Sequence, residues 1–216
     1  MYIGHYAVAF AAKRVAPKTS LGVLLGAALF VDLLWPVFLL LGWERVKIEP
    51  GNTAFTPLAF VHYPITHSLL TVLGWALAAG LLYFAATRYR AGAITVGALV
   101  VSHWLLDFVV HRPDLPLVPG GSTLAGFGLW NSVAATLLVE LALFAAGIYV
   151  YLIVTRARDR IGRYSLLVFV VLNLLIYLGN VLGPPPPNET ALAWVALGVW
   201  LFPPWAWWFD RHRAVL

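Results

Sequence analysis

The sequence predicts an all-α fold, a polytopic membrane bundle of six transmembrane helices with a short half-helix at the N-terminus. Three observations carry this. The 216 residues are 62% hydrophobic and 11% charged, against about 45–50% and about 25% in a soluble domain. Six stretches reach the roughly 20 apolar residues that a bilayer-spanning helix needs. The basic residues collect at one set of helix ends, as they do on the cytoplasmic side of membrane proteins.

Taken in order, the first element runs from Ile3 to about Val15 and is too short to span. Pro17 and the cap-type residues Thr19 and Ser20 separate it from the next. This predicts a half-length helix hairpinned against the first full span. The spans follow at about 20–42, 66–87, 91–111, 128–155, 164–182 and 191–209. Gly22 and Gly26 in the first form a GxxxG match that implies close helix packing. Pro64 holds the approach to the second span extended, and Thr66 or Ser68 caps it. The GPPPPNE segment, Gly183–Glu189, cannot be helical and reads as a surface loop. Asn188 opens a glycosylation sequon, a pattern that arises readily by chance. No repeat is evident. Residues 1–216 read as one integral membrane domain with no soluble domain. The N-terminus lacks the basic region, apolar run and small-residue site of a cleavable signal peptide in that order.

Alternating the spans sends Lys13, Arg14, Lys18, Arg88, Arg90, Arg156, Arg158, Arg160, Arg163, Arg211 and Arg213 to one side and only Arg45, Lys47 and Arg112 to the other. The first side reads as cytoplasmic, with the N-terminal turn and the C-terminus there. Trp205, Trp207 and Trp208 suit an interfacial belt. Net charge is +5, but the basic residues cap apolar segments rather than forming a patch, which excludes a nucleic-acid partner. With no cysteine, disulfides and thiolate ligands are excluded.

Five of the six histidines fall within residues 1–111. Ionisable groups inside a membrane tend to pair or to mark a function, and imidazole with carboxylate is a usual zinc ligand set. Helix rise puts Asp32 ~21 Å above Lys18, His103 ~20 Å and Asp107 ~26 Å above Arg90, Glu140 ~24 Å from Arg156 and His5 ~12 Å above Lys13. His62 and His67 lie at the outer mouth. These depths converge in the outer half of the membrane. His103, Asp107 and His111 follow i, i+4, i+8 spacing along one helical face. That row can give two ligands to one ion or let Asp107 bridge two. The candidate ligands are His5, Asp32, His62, His67, His103 and Asp107, for one or two divalent cations, zinc first among them. Glu140 or His111 is the candidate general base or proton shuttle. Arg112 at the mouth suits an anionic substrate group, and Asn131 is a candidate lining residue. Asn173 and Asn180 read more readily as interhelical hydrogen-bonding groups, and His212 as part of a surface charge cluster. Residues 112–216 read mainly as scaffold.

Four sequence features resemble the membrane-bound metal-dependent hydrolases of prokaryotic inner membranes. They are GHYAVAF with His5, GAALFVD with Gly26 and Asp32, the His-x-x-x-Thr-His-Ser run of His62, Thr66, His67 and Ser68, and the His-x-x-x-Asp pair of His103 and Asp107. The resemblance covers about the first 111 residues. It implies that these groups ligate metal in a hydrolase of the inner membrane. The chain departs from the family in having Leu34 where a second acid is common and Tyr63 where an arginine is common.

The expectation is a metal-dependent hydrolase whose metal-activated water attacks a lipid or lipid-linked ester or phosphoester. Its partners would be membrane lipids, and a homo-oligomer is compatible with these features. The alternative is a metal-ion or proton transporter. Its weakness is that the acids cluster at one side, with no repeat and no matching inner set. Haem ligation would leave the aspartates unexplained.

Overall fold

The computed structural model describes residues 1–216. It contains nine helices: α1 (Ile3–Ala12), α2 (Leu21–Ala28), α3 (Phe30–Leu40), α4 (Leu69–Thr87), α5 (Arg90–Val110), α6 (Val133–Val154), α7 (Arg160–Leu182), α8 (Glu189–Ala196) and α9 (Phe202–Arg211). Three short antiparallel pairs join them: β1 (Arg45–Ile48) with β2 (Leu58–His62), β3 (Leu115–Pro116) with β4 (Leu124–Ala125), and β5 (Thr155–Ala157) with β6 (Arg213–Val215). The fold is thus an all-α bundle of an integral membrane protein. Helices α4, α5, α6, α7 and the run Glu189–Arg211 are each long and apolar enough to cross a bilayer, and the α2–α3 pair makes a sixth span if counted as one.

Five helices begin on a side chain that accepts from the first turn, at Ser20, Ser68, Ser132, Asp159 and Asn188. This is what a helix start requires, because its first amides have no intrahelical partner. The sequon residue Asn188 therefore serves as a cap.

Three features differ from the expected outline. The first span is not straight: α2 and α3 bend by 55° at Leu29. Pro36, one turn beyond Asp32, offers no N–H to the Asp32 carbonyl, so α3 is loosened where its acid sits. The last span is interrupted by a 3₁₀ stretch, Leu197–Leu201. Finally, the half-helix α1 does more than hairpin against the first span. It turns back along α2, but packs most extensively on α6, and eight of its ten residues are buried. Phe10 meets Phe144 of α6, Tyr151 of α6 and Phe169 of α7 through tilted and edge-on aromatic contacts.

Glycines set two of these approaches. A Cβ on Gly22 would lie 2.5 Å from the Pro203 carbonyl oxygen, so the GxxxG stretch is indeed a close helix contact, of α2 on α9. A Cβ on Gly147 would lie 2.3 Å from the Ala7 carbonyl oxygen. Gly147→Ala is expected to push α1 off α6 and destabilise the fold by about 1–3 kcal/mol. A lowered thermal midpoint together with weakened metal binding checks this, because α1 carries His5.

The two ends of the bundle differ in charge. At one end Lys13 Nζ, buried, donates to Asp210 Oδ2 at 2.7 Å and to the Thr19 carbonyl at 2.9 Å. Asp210 also accepts from Tyr151 Oη at 2.7 Å and from the Leu21 amide at 2.9 Å. Lys18 lies over the Tyr89 ring, and β5 pairs with β6 at this end too. Trp205 faces inward and donates to Ser165 Oγ at 2.7 Å, while Trp207 and Trp208 are exposed. The β1–β2 hairpin and the polar cluster lie at the other end.

Candidate metal centre

Four segments converge on one buried cluster. Helix α1 supplies His5, the first turn of α3 supplies Asp32, the residue before the α4 cap supplies His67, and α5 supplies His103 and Asp107 a turn apart. His5, His67, His103 and Asp107 are buried; the Asp32 side chain keeps 30% exposure. His103 Nε2 lies 3.2 Å from Asp107 Oδ2 and 3.5 Å from Asp32 Oδ1. His67 Nε2 lies 3.7 Å from Asp107 Oδ2 and 3.6 Å from Asp32 Oδ1.

The other ring nitrogens fix the tautomers. His103 Nδ1 sits 2.7 Å from the Ala28 carbonyl, which can only accept. That nitrogen therefore carries a proton, and in the neutral ring Nε2 presents a lone pair. Thr66 Oγ1 donates to Glu44 Oε2 at 2.7 Å, so it must accept from His67 Nδ1 at 2.6 Å. His67 Nε2 is thus bare as well. Glu44 is buried and also accepts from the Ile65 and Thr66 amides at 2.9 and 2.8 Å.

With both rings neutral, two imidazole lone pairs face two carboxylates. His103 Nε2 has no hydrogen-bond partner although it is buried. Buried acceptors left together like this are costly, and a cation among them removes the cost. Tetrahedral bonds of about 2.0–2.2 Å to nitrogen and oxygen give ligand–ligand edges of about 3.3–3.6 Å. Four of the six edges such a set needs are 3.2–3.7 Å, and the ligand atoms of Asp32, His67 and His103 all lie within 4.8 Å of one another. The cluster can hold a metal ion.

His5 stands beside this set. Its ring stacks on that of His103 with centroids 3.7 Å apart, and its Nε2 lies 3.1 Å from Asp107 Oδ1. The Met1 α-amino group also binds that oxygen. His5, His103 and Asp107 form a second triad of potential ligand atoms, overlapping the Asp32, His67 and His103 triad.

A cavity of about 210 Å³ opens on the Asp32 side, and Asp32, His67, Asp107 and His111 all border it. His111 Nδ1 donates to Asp114 Oδ1 at 2.8 Å, leaving Nε2 as the basic nitrogen. Tyr63 Oη donates to the same oxygen at 3.0 Å, and Trp130 and Phe60 flank the ring with centroids at 4.3 and 4.7 Å. Burial among these rings lowers the His111 pKa and favours the neutral imidazole. Burial and the Asp114 carboxylate push the Tyr63 phenol up, so it stays a donor.

Four candidates lie elsewhere. His62 ends β2 opposite Arg45, exposed, because the extended chain ahead of Pro64 carries it to the outer surface. Glu140 does not border the cavity. Its Oε2 accepts from the Tyr2 and Gly4 amides at 2.9 and 3.3 Å, holding the start of α1 and so the height of His5. Arg112 faces a separate outer pocket with His62 and pairs with Asp114 at 3.4 Å. Asn131 is exposed at the end of a 3₁₀ turn. The second half of the chain does more than support, since Trp130, Tyr177 and Asn180 line the cavity.

Glu44 and Asp114 have no counterpart among the expected residues. Asp114 had a signal, three residues after His111 in a proline-rich turn. Glu44 had none, being an acid in a short mixed-charge stretch eighteen positions before His62. Glu44→Gln puts a donor against Thr66 Oγ1 where an acceptor stood and releases the His67 tautomer. Metal affinity, read by calorimetric titration, is expected to fall about 10–100-fold with little change in thermal midpoint.

No protein-family model, curated protein or solved structure matches the chain.

Proposed function

We propose that the chain is a membrane-embedded, zinc-dependent hydrolase acting on a lipid or lipid-linked ester or phosphoester, akin to the prokaryotic inner-membrane family whose motifs it resembles. The observation that carries this is the pair of Nε2 atoms of His67 and His103 set 3.2–3.7 Å from Asp32 and Asp107, beside a cavity that also holds an oriented histidine, His111. Zinc suits a donor set of two imidazoles and two carboxylates, and when bound it brings the pKa of water toward about 7.

The chain's own groups do the rest. Asp32, His67, His103 and Asp107 hold the cation, and the exposed flank of Asp32 leaves room for substrate. His5 and Glu140 fix the position of Asp107 and of α1. His111 Nε2 takes a proton from water and returns it to the leaving group, while Asp114 keeps the ring turned and stabilises the cation that forms on it. The aromatic walls exclude bulk water. The charge difference between the two ends supports a cytoplasmic Lys13 end, with the cavity toward the external face.

The test is hydrolysis of long-chain carboxylic esters and phosphoesters by purified protein of known zinc content, before and after chelation. Hydrolysis that chelator removes and zinc restores is expected. Zinc-loaded protein that cleaves none of them, yet carries zinc or protons across proteoliposome membranes, overturns the reading in favour of transport.

A further inference from the structure

Resting on the hydrolase reading, the structure points to one substrate class. We propose that the cavity takes a long-chain carboxylic ester or amide, uncharged at the bond that reacts, rather than a phosphoester. Two features argue for this.

The first is charge. Asp32 and Asp107 bring two negative charges, which one divalent cation cancels. With the Met1 α-amino group spent on Asp107, a phosphate group would then meet at most one surplus positive charge and no side-chain cation, whereas phosphoryl-transfer sites gather several arginines, lysines or magnesium ions around the transferring oxygens. The nearest outer arginine is committed elsewhere: Arg112 pairs with Asp114 and borders a different pocket. The charged groups bordering the cavity are the two carboxylates and the Met1 α-amino group, which is committed to Asp107.

The second is the wall. Trp35, Phe55, Phe60, Trp130, Tyr177 and Leu192 form much of it. Such a surface is matched by an acyl or alkyl chain and gives nothing to a phosphate dianion, whose desolvation would go uncompensated. Asn180 and Thr56 at the rim are neutral hydrogen-bonding groups suited to a carbonyl or an amide.

In the reaction, the water oxygen bonds to the carbonyl carbon and the bond from that carbon to oxygen or nitrogen breaks. One water proton travels through His111 Nε2 to the departing alcohol or amine; the other stays with the acid. The products are a long-chain carboxylic acid and an alcohol or amine.

The test combines binding and turnover on zinc-loaded protein in neutral detergent. The probes are palmitoyl anilide and hexadecyl phosphate for binding, read by thermal midpoint and calorimetry, and umbelliferyl palmitate and hexadecyl umbelliferyl phosphate for turnover. The anilide is expected to bind at least tenfold tighter than the alkyl phosphate, and only the palmitate ester to be cleaved. Asn180→Arg, which adds a cation at the rim, is expected to raise alkyl phosphate affinity at least tenfold. Tighter binding of hexadecyl phosphate to the unaltered protein, with cleavage of the phosphodiester, overturns the proposal and leaves the hydrolase reading standing. Preferential anilide binding with neither ester cleaved overturns the hydrolase reading and leaves the cavity's preference for uncharged ligands.

Discussion

Asp107→Ala protein is expected to lose its metal. Asp107 is the one group that touches every histidine of the cluster: Oδ2 faces His67 and His103 at 3.7 and 3.2 Å, and Oδ1 faces His5 at 3.1 Å. Removing it deletes a ligand and releases the stacked His5–His103 pair together. The loss of affinity should exceed the about 10–100-fold seen when only a group that orients a ligand is removed. Elemental analysis after dialysis against dilute zinc reads it directly: near-stoichiometric metal for the unaltered protein, background for Asp107→Ala. Stoichiometric metal in the variant would mean that the ion lies elsewhere and that the cluster is a hydrogen-bonded polar core.

Lys13→Met should have the largest effect on stability while leaving the metal in place. Asp210 would remain buried with its countercharge gone, and breaking one side of a buried pair costs about 3–5 kcal/mol. Tyr151 and the Leu21 amide still donate to Asp210, which puts the expected loss at the lower end of that range. The pair ties α1 and the α2 start to α9, so unfolding of the variant by heat should begin far below that of the parent. Lys13→Met with Asp210→Leu should recover most of the loss, since a well-packed apolar pair often replaces a buried ion pair at no cost. Zinc content should match the parent in both variants. Loss of zinc in either one would mean that the two ends of the bundle are coupled.

Composition and run length made the spans legible, and their ends fall within a few residues of the helices found. Ser20 and Ser68 were legible as starts because a capping hydroxyl ahead of an apolar run has a local cause. Depth along each helix also brought His5, Asp32, His67, His103 and Asp107 to one level. Depth says nothing about rotation around the axis, and this is where Glu140 departs: it sits at a matching height but turns toward the start of α1. His62 departs for another reason. It ends strand β2 at the surface, and the turn that follows, closed by the His67 amide on the Tyr63 carbonyl at 3.1 Å, carries only His67 inward. The bend at Leu29 and the β1–β2 hairpin leave no mark in hydropathy, which does not record which segments pair. Glu44 was hidden for the same cause. Its partners Ile65 and Thr66 become neighbours only once the hairpin has closed.

The central place of α1 has a bearing on how the protein is made. Its backbone rests against Gly147, 140 residues farther along the chain. At about 5–20 residues per second of synthesis, the bed for α1 does not exist until roughly 7–28 s after Ala7 is added to the growing chain. Through that interval an apolar segment too short to cross the bilayer, carrying His5, is without the α6 surface it rests on in the folded protein.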